Sequence, residues 1–477
     1  MSHDALAEAH AVYTTHNSTS LQAYLSSCKY LPGGNTRTVL HALPFPLTFA
    51  SGKGSTLTSI DGNTYIDFLG EYTASIYGHN NSTIRAAINE ALDRGWSLGG
   101  NNTYEKELAR LVCERFQPTV ELVRFTNSGT EANMMAVATA VAWTSRKKVL
   151  VFDKGYHGAT LSFRSTISGD AGGMKRDVNL PHEWVIGTYN DIEKTVEVLS
   201  NVPPGSLAAI LVEPMLGSGG AVPGSLPFLQ FLRSYASSHG ALLIFDEVMT
   251  SRLSYHGLGE RLGIQPDLMT LGKWVGGGMS FGAFGGRRDV MGMFDPRNGS
   301  LSHAGTFNNN VISMAAGCAG CRLLDKDTTR RLNDLGERMK DMVQNTIDKH
   351  IDSEGSLAND SHVEVKDRSN GFVNAYVSTH LSNGGKSHTQ PQQSGAAPKM
   401  WISGIGSILA IHFAPSAIRS VLQSLYYHHM LTEGIYLAER GFIALNIELT
   451  LKEVKAFVAG TGRFIEKYRA LILGVEP

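Results

Sequence analysis

Leu268-Met269-Thr270-Leu271-Gly272-Lys273-Trp274-Val275-Gly276-Gly277-Gly278 runs from an apolar strand candidate into a lysine and then into glycines. Upstream, Ala241-Leu242-Leu243-Ile244-Phe245 ends in the acids Asp246-Glu247, and Leu122-Val123-Arg124-Phe125 leads into Thr126-Asn127-Ser128-Gly129-Thr130-Glu131-Ala132. Two more runs, Val149-Leu150-Val151-Phe152 and Ala209-Ile210-Leu211-Val212, have the length and aliphatic content of buried strands. Such runs alternate with helical periodicity between about 76 and 320, which predicts a mostly parallel sheet wrapped by helices. In sheets of that kind ligand groups gather outside the carboxyl ends of the strands. The lysine, the acid and the Ser-Gly-Thr turn all fall there.

At 477 residues the chain exceeds what one hydrophobic core usually serves. The expected division is a large α/β domain over 76–320 and a smaller α+β domain over 321–477, with 1–75 contributing to the small domain and the active site. In 1–75 an entry helix precedes a hairpin, Thr56 to Ile60 and Thr64 to Phe68, turning at Asp61-Gly62-Asn63. The C-terminal part carries heptad-like spacing near Leu332-Leu335-Met339, a strand near Ile405 to Ala410, and a polar insertion at about 367–398.

A formal net charge of −1 leaves no basic footprint for nucleic acid. No apolar run reaches membrane-spanning length, and residues 1–20 lack the pattern of a signal peptide, so a cytoplasmic protein is expected. Of 4 cysteines, Cys318 and Cys321 form a C-x-x-C inside a small-residue helix. Without a second ligand pair this reads as packing, and no metal is expected.

Each strand-end group has its own chemistry. A lysine amine joins an aldehyde and can later shuttle a proton. An acid closing a buried strand needs a partner, which a protonated pyridine nitrogen supplies. A Ser-Gly-Thr turn opening a helix offers N–H groups and hydroxyls to a phosphate, although alone it reads equally well as a helix cap. Aldehyde, pyridine and phosphate are the three handles of pyridoxal 5'-phosphate. Tyr156, in Gly155-Tyr156-His157-Gly158, would put an aromatic ring at the same edge, and Gly305-Thr306-Phe307 offers another hydroxyl. Singly, each of these residues could equally be a surface charge, a core ring or a polar turn.

As an ordered set, these segments resemble the class III aminotransferases of fold type I, the group that includes glutamate-1-semialdehyde aminomutase. The resemblance implies that Lys273 bonds the aldehyde, Asp246 meets the pyridine nitrogen, Tyr156 stacks on the ring and Val248 packs on its face. It assigns Ser128, Gly129 and Thr130 to the phosphate, and Thr306 to the phosphate of a neighbouring subunit, hence a homodimer with shared sites. Leu31-Pro32-Gly33-Gly34-Asn35-Thr36-Arg37, Glu71-Tyr72-Thr73-Ala74, Asp246 to Arg252, Gly276 to Gly286 and Arg440-Gly441-Phe442 look like the aromatic β-amino-acid aminotransferases. In that group, arginines matching Arg37 and Arg440 receive the carboxylates of amino donor and keto acid, and Tyr72 would line the pocket. Ser218 stands where the aminomutase branch tends to carry Asn, and the 367–398 insertion is foreign to the bacterial enzymes.

The expected function is therefore amino transfer from an amino acid, with its amine at the β position, to a keto acid such as 2-oxoglutarate or pyruvate. The rivals are an aminomutase, a broad amine transaminase, and a fold retained as a non-catalytic binding module.

Overall fold

The computed structural model describes residues 2–163, 179–297, 299–351 and 399–474. The 367–398 insertion lies outside the described residues. A seven-stranded sheet organises the middle of the chain: β1 (Leu122–Thr126), β2 (Lys148–Phe152), β3 (Glu183–Gly187), β4 (Leu207–Val212), β5 (Leu242–Asp246), β6 (Leu268–Gly272) and β7 (Gly282–Gly286). Their spatial order is β1-β7-β6-β5-β4-β2-β3. β7 runs antiparallel to the other six strands, which are mutually parallel.

The aliphatic strands are buried along their whole length because helices cover both faces. Alternate residues serve opposite sides, as the two-residue strand period requires. Val149, Val151, Ala209, Leu211, Leu242 and Ile244 pack with Ala132, Ala136 and Ala140 of helix Gly129–Thr144. Leu150, Phe152, Ile210, Val212, Leu243 and Phe245 pack with Phe228, Leu229 and Leu232 of helix Leu226–His239.

The two ends of the chain meet beside this sheet. Strands Phe49–Lys53, Thr56–Ser59 and Thr64–Asp67 form an antiparallel set, to which Ile435–Tyr436 adds in parallel. A second sheet comprises Met400–Ile405, Ile408–Phe413 and Phe442–Ala444. The single strand expected over Ile405 to Ala410 is thus a hairpin. Ile405 pairs with Ile408, and Gly406 takes φ +52° at the turn. Isoleucines on either side preserve the apolar pattern and conceal a turn that glycine makes inexpensive.

Arg252 ties the layers together. It is completely buried and donates through Nε to Ser407 Oγ (3.1 Å), through Nη1 to the Thr73 carbonyl (3.4 Å) and through Nη2 to the Leu445 carbonyl. Among the described residues no carboxylate pairs with it, and burial lowers its pKa to about 9. Arg252→Ala would orphan these acceptors and leave a void. Urea unfolding is expected to show a loss of about 3 kcal/mol or more, since each stranded buried acceptor costs roughly 1–3 kcal/mol.

Candidate active site

Five strand ends deliver polar groups to one edge of the large sheet: Ser128 beyond β1, Tyr156 beyond β2, Glu213 beyond β4, Asp246 at the end of β5 and Lys273 beyond β6. This is the expected location for a ligand in a parallel sheet.

Ser128 caps helix Gly129–Thr144 by accepting from Glu131 N (3.2 Å), and its carbonyl accepts from Ala132 N (3.0 Å). Glu131 Oε2 reaches back to Asn127 N (2.9 Å). The cap and the anion site coexist, because the N–H groups of Gly129 and Thr130 precede the first intrahelical bond and still face outward. The cradle is tight: a Cβ at Gly129 would lie 2.9 Å from Val248 Cγ1, and one at Gly158 only 2.3 Å from Thr130 Oγ1. Uncommitted N–H donors in a glycine-lined turn at the positive end of a helix suit a phosphate.

Asp246 is buried, and its oxygens are shared among several donors. Oδ2 accepts from Asn133 Nδ2 (2.8 Å) and lies 2.8 Å from His157 Nδ1. An ionised carboxylate only accepts, so Nδ1 carries the hydrogen. Oδ1 accepts from Val248 N (3.0 Å), and Thr270 Oγ1, which donates to Asn133 Oδ1 (2.7 Å), stands 3.4 Å away. Such a network fixes the buried carboxylate and aims it in one direction. Nearby, Glu213 accepts from Tyr156 N (3.0 Å) and Gly217 N (2.9 Å), and burial raises its pKa.

Lys273 keeps part of its surface open, yet desolvation lowers its amine from 10.5 to about 8. Arg37 pushes the same way, whereas Asp246, Glu71 and Glu213 oppose. Its Nζ donates to the Tyr72 carbonyl (2.7 Å). The Tyr72 ring stacks on Phe442, and the Arg37 and Arg440 guanidinium carbons each lie 5.5 Å from its centroid. Arg37 also pairs with Glu71, and Arg440 Nη1 approaches Ser218 Oγ at 3.4 Å.

The structure therefore brings Arg37, Tyr72, Arg440 and Lys273 together, and sets Asp246, Val248, Ser128, Gly129 and Thr130 around the neighbouring strand ends. Tyr156 is 37% exposed at that rim. Thr306 is exposed, and Asn308 of the same loop accepts from Asn127 Nδ2 (3.1 Å). Sequence reasoning missed Asn133, His157, Thr270 and Glu213. The available signal was polarity at positions whose neighbours are all apolar.

The donor set fits pyridoxal 5'-phosphate: a desolvated amine, a buried carboxylate and a helix-capping anion turn. The model of the class-III aminotransferases matches residues 40–363. The β-phenylalanine transaminase of Variovorax paradoxus is 41% identical over 478 residues, covering 98% of this chain and 97% of that protein. A crystal structure of a β-phenylalanine aminotransferase from the same organism superposes with a TM-score of 0.84 at 40% identity, covering 99% of both chains. A glutamate-1-semialdehyde 2,1-aminomutase of Lachnoclostridium phytofermentans is 37% identical over 356 residues, covering 71% of this chain and 83% of that one.

The chain belongs to the class-III aminotransferases, with the fold type I architecture of that class. It is an aminotransferase whose cofactor is pyridoxal 5'-phosphate and whose substrates are small molecules.

Proposed function

We propose that this aminotransferase takes its amino group from an aromatic β-amino acid and passes it to a 2-keto acid such as 2-oxoglutarate or pyruvate. The observation carrying this reading is the convergence of two guanidiniums, Arg37 and Arg440, on the ring of Tyr72, whose carbonyl meets the Lys273 amine. Planar guanidiniums grip carboxylates through paired hydrogen bonds. Two of them near one amine suit an enzyme that binds a donor carboxylate and an acceptor carboxylate in turn. Likeness to the Variovorax β-phenylalanine transaminase over nearly the whole chain supports the β position of the amine.

Bound at this edge, the cofactor supplies an aldehyde for the donor's amine and an electron-withdrawing ring. Ser128, Gly129 and Thr130 hold its phosphate, Val248 and Tyr156 flank its ring, and Asp246 keeps its ring nitrogen protonated. Lys273 Nζ, close to half neutral near pH 8, takes the proton from the amine-bearing carbon and returns one on the far side of the transfer. Arg37 and Arg440 orient the substrate so that this carbon faces Lys273, with Tyr72 as the wall between them. Thr306 completes the phosphate site of the other subunit in a homodimer, which accounts for its exposure here.

A panel of α- and β-amino acids tests the reading. Aromatic β-amino acids are expected to convert the cofactor to its amine form at least about tenfold faster than their α isomers, a preference of about 1.4 kcal/mol. Arg440→Ala and Arg37→Ala should raise KM for carboxylate substrates more than they change kcat. Equal rates for donors lacking a carboxylate would favour a broad amine transaminase. Isomerisation without added keto acid would favour an aminomutase.

A further inference from the structure

Two stretches of unfavourable backbone meet at one hydrogen bond. Gly70, Glu71, Tyr72 and Thr73 are consecutive residues with positive φ (+53°, +47°, +51° and +81°), and Lys273 has φ +55°. Left-handed geometry is common for glycine but unusual for ordinary residues, above all for a β-branched threonine. Thr73 bears a further cost, because its buried hydroxyl has no hydrogen-bond partner. Such conformations cost about 1–3 kcal/mol each and persist where the surroundings impose them. Here Asp67 Oδ1 accepts from Leu69 N (2.8 Å) and Gly70 N (3.0 Å), Ser75 N donates to the Gly70 carbonyl (3.0 Å), and Arg252 holds the Thr73 carbonyl (3.4 Å). What this clamped loop presents to the site is the Tyr72 carbonyl, 2.7 Å from Lys273 Nζ.

We infer that the Tyr72 carbonyl is the positioning group for the Lys273 amine, a cradle that the left-handed run 70–73 exists to aim, and that it holds this amine whenever it is not joined to the cofactor. The inference rests on the role proposed above for Lys273. An amine donating to a fixed carbonyl has one rotamer and a lone pair turned away from that oxygen. It therefore waits in a defined place during the half-reaction in which the cofactor carries the amino group. The same residue's ring carries Arg37 and Arg440, so carboxylate docking and amine position are read by a single side chain and its own backbone. Tyr72 is fixed in turn by its hydroxyl, which donates to the Val39 carbonyl (3.1 Å), and by Phe442.

The test exchanges the backbone preference while keeping the loss of charge constant. Glu71→Gly and Glu71→Pro both remove the carboxylate that pairs with Arg37, but glycine accepts φ +47° and proline, locked near −65°, forbids it. Each full-length variant is loaded with pyridoxamine 5'-phosphate, which leaves Lys273 unbonded. The Lys273 amine is then titrated by the pH dependence of its acylation, read from peptide mass. Asp246 and Glu213 lie on other elements and face the amine in both variants, whereas Arg37 rests on the Tyr72 ring and moves with it, so that its departure raises the amine's pKa in the same direction as water does. With the loop displaced, water reaches the amine, and half-labelling in Glu71→Pro should lie about one pH unit or more above Glu71→Gly. The same half-labelling pH in both folded proteins overturns the inference. If the proline variant does not fold, Glu71→Val, disfavoured at positive φ by its branched Cβ, replaces it and the same two results decide. Failure of the Lys273 role is seen separately, as a Lys273→Ala protein that still forms the visible band of lysine-bound cofactor.

Discussion

Lys273→Ala is expected to lower turnover by about 10⁴-fold or more and to abolish the visible absorbance of lysine-bound cofactor, because in the role proposed for it one amine serves as nucleophile, acid and base. The loss should be chemical rather than structural. Among the described residues the side chain makes one hydrogen bond, to the Tyr72 carbonyl, and its charged form is already disfavoured by burial. The direction of the pH effect on stability follows from the lowered pKa. Between about 8 and 10.5 the unfolded chain binds the proton more readily than the folded one, so this group's contribution to stability rises with pH through that window. Below it the burial cost is fully present. The alanine variant should lose that slope while melting no earlier than the parent at neutral pH. Small primary amines added from solution should restore part of the proton-transfer rate, since the space vacated by the side chain is next to the reacting carbon. Turnover within a hundredfold of the parent would remove Lys273 from the chemistry.

What could be read from the sequence was what lies next to a strand end. Lys273, Asp246 and the Ser128 turn each follow directly on an aliphatic run, so local pattern alone placed them on one edge. β7 escaped notice because Gly-Ala-Phe-Gly-Gly has neither strand composition nor a two-residue period, and pairing on both sides overrides that weakness. The Asp246 network was hidden for a different reason: His157 lies 89 residues away in sequence and Asn133 113. Only the sheet order brings them to the carboxylate. Nor could the left-handed run at 71–73 be foreseen, since glutamate, tyrosine and threonine are poor turn formers, and the conformation is imposed by Asp67, Ser75 and Arg252. The arginines were visible as residues, but their meeting over Tyr72 depends on the N-terminal segment and the C-terminal strands packing together.

Asp246→Asn should slow the donor half-reaction by about 10²–10³-fold, the scale for removing one preorganised electrostatic partner of developing charge. The substitution keeps size and burial, so a change in packing is not the cause. What changes is polarity at two oxygens that now accept from Val248 N, Asn133 Nδ2 and His157 Nδ1. An amide has one acceptor and one donor end, and either orientation turns its NH₂ toward a group that is itself donating. His157 can answer by changing tautomer; Val248 N cannot, so the amide oxygen is drawn to the Val248 side and its NH₂ faces Asn133 and His157. In the role proposed for Asp246, the cofactor's ring nitrogen would then face a neutral group with no charge to hold its proton, and the ring would withdraw electrons less strongly from the amine-bearing carbon. A cofactor analogue methylated on the ring nitrogen carries a permanent positive charge and needs no carboxylate to stay cationic. If charge is what Asp246 contributes, this analogue should recover at least about tenfold of the lost rate in the asparagine variant and none in the parent, a gain of about 1.4 kcal/mol. Equal rates for Asp246→Asn and the parent with the natural cofactor would mean that the carboxylate serves only His157 and Asn133, as part of the scaffold.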